Sequence, residues 1–185
     1  MMKKYFPSTL GILILFAFNN PLFSQKFAST ASEIKFYSEA PMENIEAFNK
    51  DGKSVISGAT REIAFAVSIR GFHFKKPLME EHFNENYMES EKFKTATFKG
   101  KINEETDFKK EGVYDVTASG KMNIHGVEKD YAIPGKLTIK GDKISLDSKF
   151  KVKVADHKIE IPQLVVKNIA EVVEVTVHFD YEEKK

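Results

Sequence analysis

The chain has no cysteine and no tryptophan among its 185 residues. Without cysteine there is no disulfide, no thiolate-bound zinc or iron–sulfur cluster and no cysteine nucleophile. There is also no lipobox at which an exported protein is acylated. Charge of one sign is missing too: 28 Lys and Arg stand against 27 Asp and Glu, a formal net charge of +1. The two signs are interspersed and no dense basic run occurs, which argues against nucleic acid or an anionic membrane as partner. A membrane-spanning run is lacking as well. Leu10 to Phe18 (LGILILFAF) is nine residues long, and a spanning helix needs about 20. What the chain does have is phenylalanine, 16 in all. Each buries a large area without a polar handle, so a Phe-rich interior is expected.

Lys3 and Lys4 before that apolar run, with PLFSQ after it, read as a secretory signal peptide cut after Ser24 or Gln25. An uncut N-terminal anchor is the alternative. Without residues 1–24, which hold two lysines and no acid, 26 basic residues face 27 acidic ones and the balance becomes −1. Residues 25–185 suit a single domain of periplasmic or secreted type, long enough for a real core.

Alternation at period two dominates the remainder of the chain. Phe27 to Ser38 places Ile34, Phe36 and Ser38 on one face. A brief helix is expected after Pro41, where Met42, Ile45 and Phe48 are spaced by three. Asp51-Gly52 reads as a turn. Strands are expected at Val55 to Ser57 and Arg61 to Ile69, the second with Ile63, Phe65, Val67 and Ile69 on one face. Phe93 to Ile102, Val113 to Ile124, Val127 to Ile133 and Leu137 to Ile139 continue the pattern. After the Gly141-Asp142 hairpin signal, Ile144 to Val154 alternates most cleanly, and Val172 to Tyr181 closes the chain. Interrupting these strands, Lys76 to Ser90 reads as one short amphipathic helix. Pro77 suits its first position, Met79, Phe83 and Tyr87 recur every four residues, and Glu81, Glu85 and Glu89 form an acidic row opposite. Eight to ten sequential strands, without repeated strand–helix units, predict an all-β fold. Such a sheet buries its apolar face on a second sheet or by closing; long up-and-down strands favour closure, so the expected architecture is an antiparallel eight-stranded barrel capped by one or two short helices. At eight strands the interior is either filled by side chains or holds one small ligand.

Catalytic and metal signatures are absent. The histidines, His73, His82, His125, His157 and His178, form no HExxH motif and no helical ligand pair. There is no GxSxG elbow and no glycine-rich phosphate loop. His82 with Glu85 and Glu89 makes at most a partial site, and His125 is expected to serve the turn that Gly126 allows. No catalytic residue, metal or cofactor is expected.

Several separated segments resemble the YceI-like family of exported bacterial proteins. They are RGFHF at Arg70 to Phe74, EHFNENYMES at Glu81 to Ser90 and KFKTATFKGKI at Lys92 to Ile102, then GKMNIHGVEKD at Gly120 to Asp130 and FKVKVADHKIEIP at Phe150 to Pro162. The resemblance runs from about Ser29 to Tyr181. One departure is Lys92-Phe93-Lys94, where many members carry a Tyr-Pro pair. The resemblance implies a lipocalin-like barrel holding an isoprenoid or similar long apolar chain. Phe65, Val67, Met79, Phe83, Tyr87, Phe98, Tyr114, Met122, Phe150, Val175 and Val177 then become candidate ligand-binding residues. Ala64, Ala66, Ala96, Ala118 and Gly120 leave room if they face inward, and the helix becomes a lid. The expected partner is a long-chain isoprenoid or other lipid, with no nucleic acid and no stable membrane insertion, and a homodimer left open. An enzyme acting on an apolar substrate in the same cavity is a second reading. A cell-envelope interaction or stress protein with a filled barrel is a third.

Overall fold

The computed structural model of the chain describes residues 25–162 and 169–184. Residues 1–24, where the signal peptide is expected, lie outside the described residues. Among the described residues ten strands form one sheet that closes on itself: β1 Lys26–Glu39, β2 Asn44–Asn49, β3 Lys53–Ser57, β4 Glu62–Ser68, β5 His73–Phe74, β6 Thr95–Ile102, β7 Gly112–Ile124, β8 Val127–Lys140, β9 Lys143–Lys153 and β10 Val172–Glu183. Every pairing is antiparallel. The circuit β1–β3–β4–β6–β7–β8–β9–β10 returns to β1 through the β1–β10 ladder, which gives the eight-stranded closed barrel. β2 and β3 lie on the same edge of β1, at its two ends, so they are one wall strand with an interruption. β5 pairs with β2 as β4 pairs with β3. Closure removes the free sheet edges that an open sheet would expose.

Two local expectations are overturned. The segment after Pro41 is a strand and not a helix. Ala47 and Asn49 face inward with Ile45, while Glu46 and Phe48 (43% exposed) face out, and Met42 is 70% exposed. Period-two burial against β1 outweighs the chance spacing of Met42, Ile45 and Phe48. Asp51-Gly52 likewise does not reverse the chain. A Cβ at Gly52 would sit 2.4 Å from Ile34 Cδ1 and 3.2 Å from Phe179 Cε1, so the backbone passes close to the core there and a larger residue would displace the end of the Ile34 side chain. The buried Asn49 holds this interruption together. Its Oδ1 accepts from Asp51 N–H at 2.7 Å and its Nδ2 donates to the Ser68 carbonyl at 2.8 Å.

The other turns match their signals. His125 (φ +53°) and Gly126 (φ +71°) make the tight reversal between β7 and β8, and Gly141 (φ +58°) opens the β8–β9 hairpin. Val127 to Ile133 and Leu137 to Ile139 are one continuous strand, β8, in spite of Pro134. The β8–β9 ladder begins only at Gly135, so the proline, which cannot donate to a ladder, sits where that ladder stops. The lid segment begins as α1, Pro77–His82, and widens into a single π-type turn over Phe83–Tyr87, where Met88 N–H donates to the Phe83 carbonyl at 2.9 Å. Among the described residues no helix is long and apolar enough to cross a membrane.

Candidate functional site

The end of the barrel that carries α1 is the end where β1, β4, β7 and β9 finish and where β6, β8 and β10 begin. Inward side chains here are mostly small or branched. β10 supplies Val173, Val175 and Val177, β4 Val67, β6 Ala96 and β9 Val152, and they enclose a cavity of about 320 Å³. Its floor is aromatic. Phe65 stacks on Phe98 at 5.4 Å between ring centroids and leans on Phe179 at 6.3 Å. Beneath it lies a packed core, with Phe98, Phe179 and Leu137 fully buried, and a void of about 30 Å³ that shares Phe65, Phe150 and Val177 with the cavity above. The filled half hides one polar pair: Tyr181 Oη donates to Ser54 Oγ at 2.7 Å, and Ser54 Oγ donates to the Ala64 carbonyl at 3.0 Å. Burial raises the Tyr181 phenol above its ordinary value, so it remains a donor.

The lid is tied down at both ends. At its start Lys76 pairs with Glu43, and Glu80 Oε2 accepts from Phe74 N–H at 3.1 Å. In the middle Phe83 is clamped by three rings: it stacks on Phe36 at 5.4 Å and meets Phe74 at 5.0 Å and Phe72 at 5.8 Å. Asn84 Nδ2 donates to the Glu80 carbonyl at 2.9 Å, while its buried Oδ1 has no partner among the described residues. At the exit, Glu89 Oε2 lies 2.9 Å from His125 Nε2, and His125 Nδ1 lies 3.2 Å from the His157 carbonyl. His157 is wholly buried. Its Nδ1 meets the Val127 carbonyl at 3.0 Å, which requires a proton there, so its Nε2 accepts from Tyr131 Oη at 2.9 Å. Burial holds the His157 imidazole below its ordinary value, in keeping with this neutral tautomer. The acidic row is thus not all solvated face, because Glu89 is a tether. His125 serves its turn and also receives that tether.

Of the candidate residues, Phe65, Val67, Met79, Phe83, Tyr87, Met122, Phe150, Val175 and Val177 line the large cavity. Phe98, 1% exposed, lies beneath the floor. Tyr114 lies far down β7, opposite Leu137, and its hydroxyl donates to the Lys110 carbonyl at 2.9 Å. Ala64 and Ala66 face outward from β4 and leave no room inside, whereas Ala96 does. Phe36, Phe72, Phe74, Ile45 and Met88 also line the cavity. Phe36 was on the correct face of its alternating strand, and RGFHF marked the other two rings. Ile159, Ile161 and Ile169 border the mouth and lie outside the ten strands.

The chemistry this wall offers is solvation of an apolar chain. Its polar members are Ser38, Glu43, His82 and the Tyr87 hydroxyl, and no Lys or Arg is among the described lining residues. Ser38 Oγ is already engaged by Ala170 N–H at 2.9 Å, and Glu43 by Lys76. Burial raises the Tyr87 phenol, leaving it an uncharged hydrogen-bonding group at the mouth. Among the described residues no group of His, Asp and Glu is placed to hold a metal ion.

A closed antiparallel barrel, solid in one half and hollow in the other beneath a helical lid, is the architecture of a cavity-forming, lipocalin-like barrel. The chain belongs to the YceI-like family, whose YceI-like domain matches residues 25–181. It is similar in fold to a polyisoprenoid-binding domain from Saccharophagus degradans implicated in plant cell wall breakdown. That likeness has a TM-score of 0.71 at 16% identity, over 85% of this chain and 98% of that one. BcnA of Burkholderia cenocepacia is similar at a TM-score of 0.68 and 14% identity, over 80% and 95% of the two chains. The YCEI protein of Campylobacter jejuni is similar at 0.59 and 15%, over 100% and 99%. At these identities the likeness concerns the fold alone. No curated protein matches the chain by sequence.

Proposed function

We propose that this is an exported, non-enzymatic binding protein that carries or sequesters an isoprenoid or other lipid chain inside its barrel. The observation that carries the reading is the 320 Å³ cavity walled by Val, Ile, Met and Phe under a tethered lid. Each buried CH₂ contributes about 0.8 kcal/mol before the entropy of binding is counted. An apolar chain therefore binds such a wall without a charged anchor. The polyisoprenoid-binding relative supports the choice of ligand class, and the Lys3–Phe18 pattern supports export. The apolar lining, whose described polar members are Ser38, Glu43, His82 and Tyr87, supports binding over turnover.

The test is to purify the protein without denaturant, extract it with organic solvent and weigh what is released. A stoichiometric apolar molecule is expected, together with uptake of a fluorescent isoprenoid by the emptied protein. Neither bound lipid nor uptake would overturn the reading. Turnover of the bound molecule, lost on replacing His82, would favour the enzymatic alternative.

A further inference from the structure

We propose that His125 is a proton-operated latch: as an imidazolium it pins the exit of the lid to the barrel, and as a neutral ring it lets that side of the cavity open. The proposal rests on the apolar-ligand reading above for its probe and adds a control on cargo exchange. Both ring nitrogens of His125 face oxygens of a carboxylate or a carbonyl, which accept and do not donate. Nε2 lies 2.9 Å from Glu89 Oε2, and Nδ1 lies 3.2 Å from the His157 carbonyl. A neutral imidazole carries one N–H and holds one of these bonds; the imidazolium holds both. Loss of the proton therefore frees the lid from His125 or frees His125 from the wall behind it.

Three segments meet at this ring. They are the lid exit, the β7–β8 turn and the 3₁₀ turn Val154–His157. Among the described residues, four other than glycine have positive φ, and three of them are here: Glu89 (+41°), His125 (+53°) and Lys158 (+56°), which directly follows His157. Left-handed backbone is disfavoured for residues that carry a Cβ and persists where surrounding contacts hold it, as in a closed latch. Each segment also contributes cavity wall beside the junction. Tyr87 and Met88 precede Glu89, Ile124 precedes His125, and Val154 and Ile159 lie on either side of His157. Parting the junction therefore parts the wall. The charged and titratable groups around the ring, among the described residues, come from every side. Glu89 and Lys92 come from the lid exit, with the Lys92 Nζ 4.7 Å from the centroid of the Phe93 ring that packs on His125 at 4.3 Å. His157 and Asp156 come from the 3₁₀ turn, and Tyr131 and Lys129 from β8. Histidine is the side chain that changes charge between about pH 5 and 8. His157 is held neutral by the Val127 carbonyl and Tyr131. The proton that comes and goes at this junction is then that of His125.

The experiment follows two readouts from about pH 5.5 to 8. One is stopped-flow release of the neutral fluorescent probe N-phenyl-1-naphthylamine. The other, on the protein without probe, is amide exchange of Ser90, Lys92 and Phe93, whose N–H groups donate to the Asn84 and Glu89 carbonyls. Exchange is expressed as protection factors, so that the pH dependence of the exchange chemistry cancels. As the pH rises, release is expected to quicken and protection to fall, each by at least about threefold. The size is modest because the Glu89 side chain is 48% exposed. In Glu89→Gln, and in His125→Asn, whose side chain tolerates left-handed backbone, release is fast at every pH and both profiles are flat. His73→Asn removes the histidine that faces Glu80 at the lid start at 3.6 Å and keeps both profiles. Protection that does not change with pH in the unaltered protein, or a profile that survives in Glu89→Gln or in a folded His125→Asn, overturns the latch. Loss of the profile in His73→Asn overturns it as well. A probe that binds at no pH overturns instead the apolar-ligand reading, and amide exchange then decides the latch alone.

Discussion

Below Phe65, β10 turns Phe179 and Tyr181 inward and β6 turns Phe98; above it the same two strands turn Val173, Val175 and Ala96. Both halves share their strands, their alternation and their closure, and they differ in the size of the inward side chain at each level. The lower half reaches a solid interior with a residual void of about 30 Å³. In the upper half the large rings are gathered on one side, where Phe36, Phe72, Phe74 and Phe83 pack on one another beneath the lid. Val67, Val152, Val173, Val175 and Val177 are among the residues that border the open space. At eight strands the choice between a packed core and a pocket is thus made here by a gradient of side-chain size along β6 and β10, with no change in topology.

The largest expected effect tests that contrast directly. Phe98→Ala should cost about 3–5 kcal/mol in urea unfolding, because it opens a void among rings that cannot collapse. Val175→Ala, whose methyls already face empty space, should cost about 1 kcal/mol or less. Equal losses would mean that the two halves are packed alike. Next, Phe83→Ala removes three ring contacts worth about 0.5–1.5 kcal/mol each. It should lower stability by roughly 2 kcal/mol and speed release of a bound apolar probe severalfold in stopped flow. Phe98→Ala should leave the release rate within about twofold, since the lower half does not hold the lid.

Alternation told which side chains point inward but not how high each one stands. Phe98 and Tyr114 are inward in phase with Phe65 and Met122, yet height is fixed by register and packing: Phe98 pairs with Phe65 and tucks its ring under it, and Tyr114 pairs with Leu137 at the far end. Register is a property of strand pairs, and no single stretch of sequence carries it. The lid was legible because Pro77 and the spacing of Met79, Phe83 and Tyr87 are local. Its tether was not, because Glu89 and His125 are 36 residues apart. The segment after Pro41 misled for the opposite reason: its local spacing was helical, and pairing with β1 overrode it.

A smaller effect concerns the hollow end alone. His157 is buried neutral with its value held low. The unfolded chain therefore takes up a proton near pH 6.5 while the folded chain does not. The stability contributed by neutral burial is complete above that point and is lost as the pH falls from there through the lowered folded value. Melting temperature should drop across that acid window, and His157→Asn should flatten the dependence while costing about 1–2 kcal/mol through the Tyr131 bond. The smallest effect belongs to the wet face of the filled half. Asp147, 2.7 Å from His178, raises that imidazole. The pair's contribution is present below the unfolded value and is lost as the pH rises through the folded one. At this exposure Asp147→Ala should remove less than about 1 kcal/mol, measured by unfolding at low salt near pH 6.

The floor has one more consequence, which concerns direction. A barrel open along its whole axis lets a chain enter from either end and slide through, so its two termini are equivalent to the protein. A barrel plugged by Phe65, Phe98 and Phe179 is a socket. On the reading proposed above, an apolar chain would go in by one terminus, come out by that route in reverse, and leave its last few atoms beside Glu43, His82 and Tyr87. A second molecule meeting the loaded protein would then meet that end, with the remainder of the cargo hidden from it.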